Sequence, residues 1–371
     1  MIMENKPTMM DYIYQTPATV IANVDRSAEL TKKMVDLFLE KDYESICIVA
    51  SGSSNNGSLC ARDFVRKYLK TEVKLVPPFT FLNHEHDLRN KAFTVVVSQS
   101  GCSTNALDCL RLLKANNEVT IGLTGRDDCD FVQYCDHLIN WGVGEEKVGY
   151  VTKGVVTLAT FWMLFALEAG LKLQRITPEQ YQKTKDDIKK AMAIHQELTQ
   201  ETINKYHANY KVFTSMDKLH VLGSGPNIGT AIEGALKITE TVCIPCLTCE
   251  AEEFIHGPNN QFNPSNAVIF IDNGSHDKSS ERIVNIFKAV RIITDKAFII
   301  TNDQSVDDQL AFRTKEETDP LVSSLYKLTV FETLAYLITE DTVHWHKHPL
   351  FVKYKNSGIV KSKSRENLYN T

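Results

Sequence analysis

Between Glu233 and Pro258 the sequence reads E-G-A-L-K-I-T-E-T-V-C-I-P-C-L-T-C-E-A-E-E-F-I-H-G-P, and no other stretch is as well equipped for proton transfer. Helical steps of i, i+4 and i+3 set Glu233, Lys237 and Glu240 on one face. His256 closes the stretch in a turn set by Gly257 and Pro258, so a carboxylate and an imidazole bracket a run of β-formers. A surface ion pair beside a turn histidine would use the same residues. The choice between the two rests on the rest of the chain.

Hydroxyls cluster at two other places. The apolar run Ser45 to Ala50 leads into Ser51-Gly52-Ser53-Ser54-Asn55-Asn56-Gly57, and F-T-V-V-V leads into Ser98-Gln99-Ser100-Gly101-Cys102-Ser103. A small-residue loop between a strand and the positive end of a helix suits a phosphate, because backbone N–H groups can approach it. Neither loop is a Walker or G-x-G-x-x-G motif, so a nucleotide is not indicated.

Around these loops strands alternate with helices at a pace that predicts a parallel sheet covered on both faces. Strands are expected at Ser45–Ala50, Phe93–Val97, Val119–Thr124 and Asp136–Trp141, with a buried core helix over Val155–Leu167. A lead-in arm ends at Pro17, a residue that stops helices, and a long charged helix from Pro178 to Tyr206 connects two halves. The second half repeats the pattern at Leu219–Leu222, Ala267–Ile271 and Lys296–Thr301, with a closing helix over Val322–Thr339. Gly52 and Gly101 are 49 residues apart, as are Gly225 and Gly274, the spacing that two copies of one fold would give. In the second copy Pro226 replaces a donor and Asp272-Asn273 would hold an anion poorly. A phosphate site is therefore expected in the first copy.

Composition narrows the function class. The 371 residues are 43% hydrophobic and 23% charged with a net charge of −5, which argues against a nucleic-acid surface and for a small partner. The start lacks the pattern of a secretory signal, and no apolar run is long enough to predict a membrane span. Nine cysteines, an odd number scattered through predicted elements, fit a reducing cytoplasm better than a disulfide framework. Three clusters have partial metal-ligand spacing: Cys243/Cys246/Cys249, His84/His86 and His344/His346/His348. The first has Glu253 where a fourth cysteine would stand, the histidine pairs arise easily on a strand, and no metal is expected.

Together these residues resemble the sugar isomerase (SIS) family, and within it the two-copy members: the isomerase half of glucosamine-6-phosphate synthase and the phosphorylated fructosamine deglycases. The similarity runs from M-M-D-Y-I-Y-Q-T-P at 9–17 to about Lys355 and rests on S-Q-S-G at 98–101, E-G-A-L-K followed by Glu240, and E-F-I-H-G-P at 253–258. It implies an α/β fold of two tandem SIS domains, each a doubly wound parallel sheet of about five strands in an α-β-α sandwich. The expected division is an arm at 1–26, a first SIS domain at 27–175, a connecting helix at 176–208, a second SIS domain at 209–345 and a tail at 346–371 closing over the site.

The resemblance also implies roles. Ser54, Ser98, Gln99, Ser100 and Ser103 match the family's phosphate-binding positions, with Ser53 beside them. Glu146, Thr152 and Lys153 fall in E-K-V-G-Y-V-T-K, similar to the family's E-x-G-V-A-S-T-K, where Gly149 lies beside the sugar. Glu240 matches the carboxylate that moves a proton between C1 and C2. His256 matches the ring-opening histidine, which reaches the site from a neighbouring subunit and so implies a homodimer with composite active sites. No cofactor is implied. Cys102 stands where the synthase has an acidic residue, and the tail H-P-L followed by Lys353-Tyr354-Lys355 looks more like the deglycases. Tyr354 falls where the synthase has its Schiff-base lysine, with Lys353 and Lys355 flanking it as sugar-binding candidates. The expected activity is cleavage of a phosphorylated ketosamine to hexose phosphate and amine. Aldose–ketose isomerisation, amino-sugar phosphate deamination and a sugar-phosphate-binding regulator are the alternatives.

Overall fold

The structure is a computed structural model describing residues 6–87, 91–342, 350–359 and 361–362, with the backbone alone at 352 and 355. The chain divides into two compact units, the first holding Ala18–Lys185 with the terminal segments and the second Asp186–His346 with Met9–Pro17. Helix α1 (Met9–Asp25) is followed by the short α2 (Ser27–Leu30) and α3 (Lys32–Leu39). The first sheet then unrolls as β1 (Ser45–Ala50), α4 (Gly52–Leu69), β2 (Glu72–Val76), one turn of helix α5 (Pro78–Thr80), β3 (Ala92–Val97), α6 (Thr104–Ala115), β4 (Ile121–Thr124) and β5 (His137–Asn140). Helices α7 (Lys153–Lys172), α8 (Pro178–Ala208) and α9 (Tyr210–Ser215) come next. The second sheet is built from β6 (Leu219–Gly223), α10 (Ile228–Thr241), β7 (Cys246–Glu250), β8 (Ala267–Ile271), α11 (Ser280–Val290), β9 (Ala297–Ile300) and β10 (Ala311–Phe312), before α12 (Ser324–Thr342) and α13 (Leu350–Lys355).

Both sheets are five-stranded and parallel, with orders β2-β1-β3-β4-β5 and β7-β6-β8-β9-β10. These are the same topology twice, as the equal glycine spacing predicted. The strand order reverses at β1/β3 in one sheet and at β6/β8 in the other, and a crevice at the carboxyl ends of the strands is expected at that reversal. The four strands flanking the reversals are buried almost throughout. Their unbroken apolar runs follow from having both faces covered.

Four elements depart from the sequence reading. Pro17 does not end a helix, because α1 runs through it to Asp25. The lost N–H costs roughly 3 kcal/mol, which is offset by burial of Met9, Tyr12, Ile13, Val20 and Val24 along one helical face. The loop after β1 is shorter than its serines and asparagines suggest: Gly52, at φ +55°, turns the chain in a single residue, and Ser53 and Ser54 enter the first turn of α4. Strands β2 and β10 also escaped notice, the first an edge strand with alternating burial and the second only two residues long. Helix α7 is long and apolar enough to cross a membrane by length and composition, yet 94% of its apolar window is buried inside the protein.

Gly234 fixes how closely α10 approaches α12, since a Cβ built there falls 2.5 Å from the ring of the buried Phe331. A Gly234→Ala substitution is expected to destabilise the protein by about 1 to 3 kcal/mol through overpacking, measured by urea denaturation. Combining it with Phe331→Leu should cost less than the two losses added; full additivity would contradict the contact.

Candidate functional site

At the first reversal, the loop after β3 gathers hydroxyls that the sequence sets two and three residues apart. Ser98 lies buried at the end of β3, and its Oγ is 3.1 Å from Ser103 Oγ and 3.5 Å from Ser100 Oγ. The Cys102 N–H donates to Ser100 Oγ at 3.2 Å. Gly101 adopts φ +61° here, and a Cβ on it would fall 2.3 Å from Cys129 Sγ. Only glycine therefore lets the loop curl so tightly. Ser53 and Ser54, half-buried on the first turn of α4, face the same end of the sheet. Asn105 Nδ2, at the start of α6, ties the two loops by donating to Ser51 Oγ at 3.2 Å. The tail meets this end too, where the Thr104 N–H donates to the Lys361 carbonyl at 3.0 Å.

Gln99 is held from both sides. Its carbonyl accepts from the Gly125 N–H and Thr124 Oγ1, each at 3.1 Å, and its Nε2 donates to Glu146 Oε2 at 2.5 Å. Glu146, buried, also accepts the Thr152 N–H at 2.9 Å and the Gly154 N–H at 3.2 Å at the start of α7. Burial holds the Lys153 ammonium below its ordinary pKa, against the pull of Glu146 and Glu145, and its Nζ donates to the Glu145 carbonyl at 3.1 Å. Gly149 is exposed on the stretch between β5 and α7.

At the equivalent strand ends of the second unit the polar side chains bond to one another. Asn227, after β6, donates to Asn273 Oδ1 at 2.9 Å and to Ser323 Oγ at 3.0 Å, while Asn273 donates to Ser279 Oγ at 2.8 Å. Asp272 accepts from Thr301 Oγ1 at 2.6 Å and the Gly274 N–H at 3.2 Å, and its carbonyl takes Lys327 Nζ at 2.5 Å. Buried polar groups are satisfied internally here, around a small cavity lined by Asp272, Gly274, Thr301 and Lys327 among others. Lys327, which no motif or spacing marks, has its pKa pushed down to about 8 by burial, against Asp272, Glu317 and Asp277.

On α10 the expected face is present but is no surface ion pair. Glu233 and Lys237 have fully buried side chains, with Lys237 Nζ 3.3 Å from Glu233 Oε1. Lys237 also donates to Glu240, whose side chain is 29% exposed. Burial works against the Lys237 charge, yet Glu233, Glu240 and Glu332 outweigh it and hold the ammonium above its ordinary range. Glu240 is the partly open end of this buried pair of charges. His256 is exposed on the 3-10 turn Glu253–His256, ahead of Gly257 at φ +138°. Lys353 is exposed on α13, whereas the Lys355 side chain and His344, His346 and His348 lie outside the described residues. Among the described residues no three His, Cys, Asp or Glu side chains are arranged to hold a metal ion.

Residues 38–167 match the model of the SIS domain. This stretch is a SIS domain. The second unit repeats its strand order, so the chain carries two tandem SIS folds. Glutamine--fructose-6-phosphate aminotransferase [isomerizing] of Thermococcus kodakarensis is 23% identical over 258 residues, covering 67% of this chain and 41% of the relative. The chain thus spans less than half of that relative's length. Among solved structures, a candidate phosphosugar isomerase from Clostridium difficile 630 superimposes with a TM-score of 0.84 at 21% identity, covering 94% of this chain and 98% of that one. The C-terminal domain of glucosamine-fructose-6-phosphate aminotransferase from Francisella tularensis gives 0.81 at 20% identity, covering 94% and 100%.

The buried lysine of the second SIS fold yields a pH signature. In the unfolded chain Lys327 regains an ordinary lysine pKa near 10.5, whereas in the fold it loses its proton from about 8 upward. Between those values the unfolded chain binds more protons, so stability rises with pH. The cost of the buried charge is fully present below about pH 8 and is relieved toward pH 10.5. Urea denaturation at pH 7 to 10 should show the wild type gaining roughly 2 to 3 kcal/mol relative to Lys327→Met across that window. Parallel pH profiles would contradict it.

Proposed function

We propose that this SIS protein binds a phosphorylated sugar or sugar-amine conjugate and moves a proton between C1 and C2. Its most specific form is hydrolysis of a phosphorylated ketosamine, in which water replaces the amine to give hexose phosphate and free amine. The observation that carries the reading is the hydroxyl cluster at the first strand reversal, where Ser98 Oγ lies 3.1 Å from Ser103 Oγ and 3.5 Å from Ser100 Oγ. An ester dianion is the ligand such a loop suits, since hydroxyl and amide donors to a charged acceptor are each worth roughly 1.5 to 3 kcal/mol. The relatives' names support the sugar. The synthase acts on fructose 6-phosphate, and further structural neighbours include glucosamine-6-phosphate deaminase of Thermotoga maritima and tagatose-6-phosphate ketose/aldose isomerase of Escherichia coli.

In this reading Ser53, Ser54, Ser98, Gln99, Ser100 and Ser103 hold the phosphate, and Gly149 borders the sugar. Glu240 takes the proton from one carbon and returns it to the next, a step to which a positioned carboxylate contributes about 100-fold to 10,000-fold. Lys237 orients that carboxylate by its hydrogen bond. His256, exposed on its turn, opens the ring in the site of a neighbouring subunit, which makes the working form a homodimer. Lys353 and Lys355 belong to the tail that covers the sugar. Cys102, in place of the synthase's acidic residue, supports the deglycase over the synthase-type isomerisation.

Incubation with a panel of fructose-6-phosphate amine conjugates and amino-sugar phosphates, with assay of released amine, should show turnover of the conjugates. Glu240→Gln should lower that rate by about 100-fold to 10,000-fold and leave binding of fructose 6-phosphate intact. Release from amino-sugar phosphates alone would replace the deglycase with a deaminase. No turnover on any compound, with binding unchanged in Glu240→Gln, would leave a sugar-phosphate-binding regulator in place of an enzyme.

A further inference from the structure

We infer that Glu146 is a positioning residue for the anion site, fixing the polarity of the Gln99 side chain so that the serine loop presents donors to its ligand. The inference rests on the reading of Ser98–Ser103 as the phosphate loop.

A side-chain amide can be turned over with little change of shape, exchanging an acceptor for two donors at the same place. Which way Gln99 points therefore decides whether it attracts or repels a phosphate. Glu146 settles the matter. Its carboxylate lies at the N-terminus of α7, where the Thr152 and Gly154 N–H groups converge on its two oxygens, and the helix end favours its ionised form. An ionised carboxylate only accepts, so the Gln99 group that meets it must be the NH2. One N–H is then committed to Glu146, and the other is oriented by the same bond.

The opposite side of the amide is fixed by packing. A Cβ built on Gly154 would fall 1.9 Å from Gln99 Oε1, 2.6 Å from Cδ and 2.7 Å from Nε2. The amide therefore lies flat against the bare backbone of α7, and any side chain at 154 would expel it. The Gln99 backbone carbonyl, held by Gly125 and Thr124, fixes the main chain from which the side chain departs. Ser98, Ser100 and Ser103 can each rotate their hydroxyls toward an anion, but Gln99 cannot adjust in this way and needs Glu146 to set it.

A plain capping role for Glu146 would also explain its two backbone contacts, and a charge swap separates the two roles. In Glu146→Gln the new amide puts an NH2 against N–H donors, so both the melting temperature and the affinity for fructose 6-phosphate should fall, the affinity by about 10-fold or more, with the loss in KM rather than kcat. The double variant Gln99→Glu/Glu146→Gln restores a hydrogen bond between the two positions but moves the negative charge into the serine loop. Its melting temperature should recover in part, since one α7 N–H still faces the amide at 146, while its affinity for fructose 6-phosphate drops further. Recovery of both, or wild-type affinity in Glu146→Gln, would overturn the inference and leave Glu146 a helix cap. Gln99→Met leaves the α7 cap in place and carries the same expected loss of affinity should Glu146→Gln fail to fold. Ser98→Ala serves as the control: unchanged affinity there removes the phosphate-loop reading and this inference with it, whereas weakened affinity in Ser98→Ala beside wild-type affinity in Glu146→Gln removes this inference alone.

Discussion

Hydroxyls, amides and carboxylates at the carboxyl edge of a parallel sheet sit where water is scarce, and each must find a partner. The two halves of this chain meet that requirement in opposite ways. In the second unit the partners are built in: Asn227, Asn273, Ser279 and Ser323 bond to one another, and Asp272 is satisfied by Thr301, Gly274 and the chain of contacts to Lys327. In the first unit the loop after β3 gathers three serine hydroxyls, and the neighbouring Gln99 amide is held by Glu146. One topology used twice thus carries asparagines and Asp272 at one set of strand ends and grouped serine hydroxyls at the other.

The charged face of α10 obeys the same rule in a drier setting. A lysine and a glutamate with no exposed side-chain surface survive only as partners, and Gly234 lets α12 come close enough to exclude water from them. That burial is a cost unless the pair does something a hydrophobic pair could not. In the proposed function, holding Glu240 in one orientation at the edge of the buried region is such a use.

Much of the fold was legible because β1, β3, β6 and β8 have both faces covered, which writes continuous apolar runs into the sequence. Edge strand β2, with its E-V-K-L-V alternation, and the two-residue β10 carry no such run. Pro17 misled for a related reason: its local penalty is real, but burial of one face of α1 outweighs it. Within the site, the serines and the Glu233/Lys237/Glu240 spacing were visible as residue types at short intervals. The bond from Gln99 to Glu146 spans 47 residues, and that from Asn227 to Ser323 spans 96. Contacts of that separation leave no periodic trace. Lys327 looked like any lysine in a closing helix, and only its burial beside Asp272 sets it apart.

The central claim is that the two SIS folds differ in what their crevices can bind, and calorimetric titration of the full chain with fructose 6-phosphate and with fructose tests it most directly. The account predicts one molecule of fructose 6-phosphate bound per chain and no measurable binding of the unphosphorylated sugar. Two molecules per chain, or equal affinity for fructose, would contradict it.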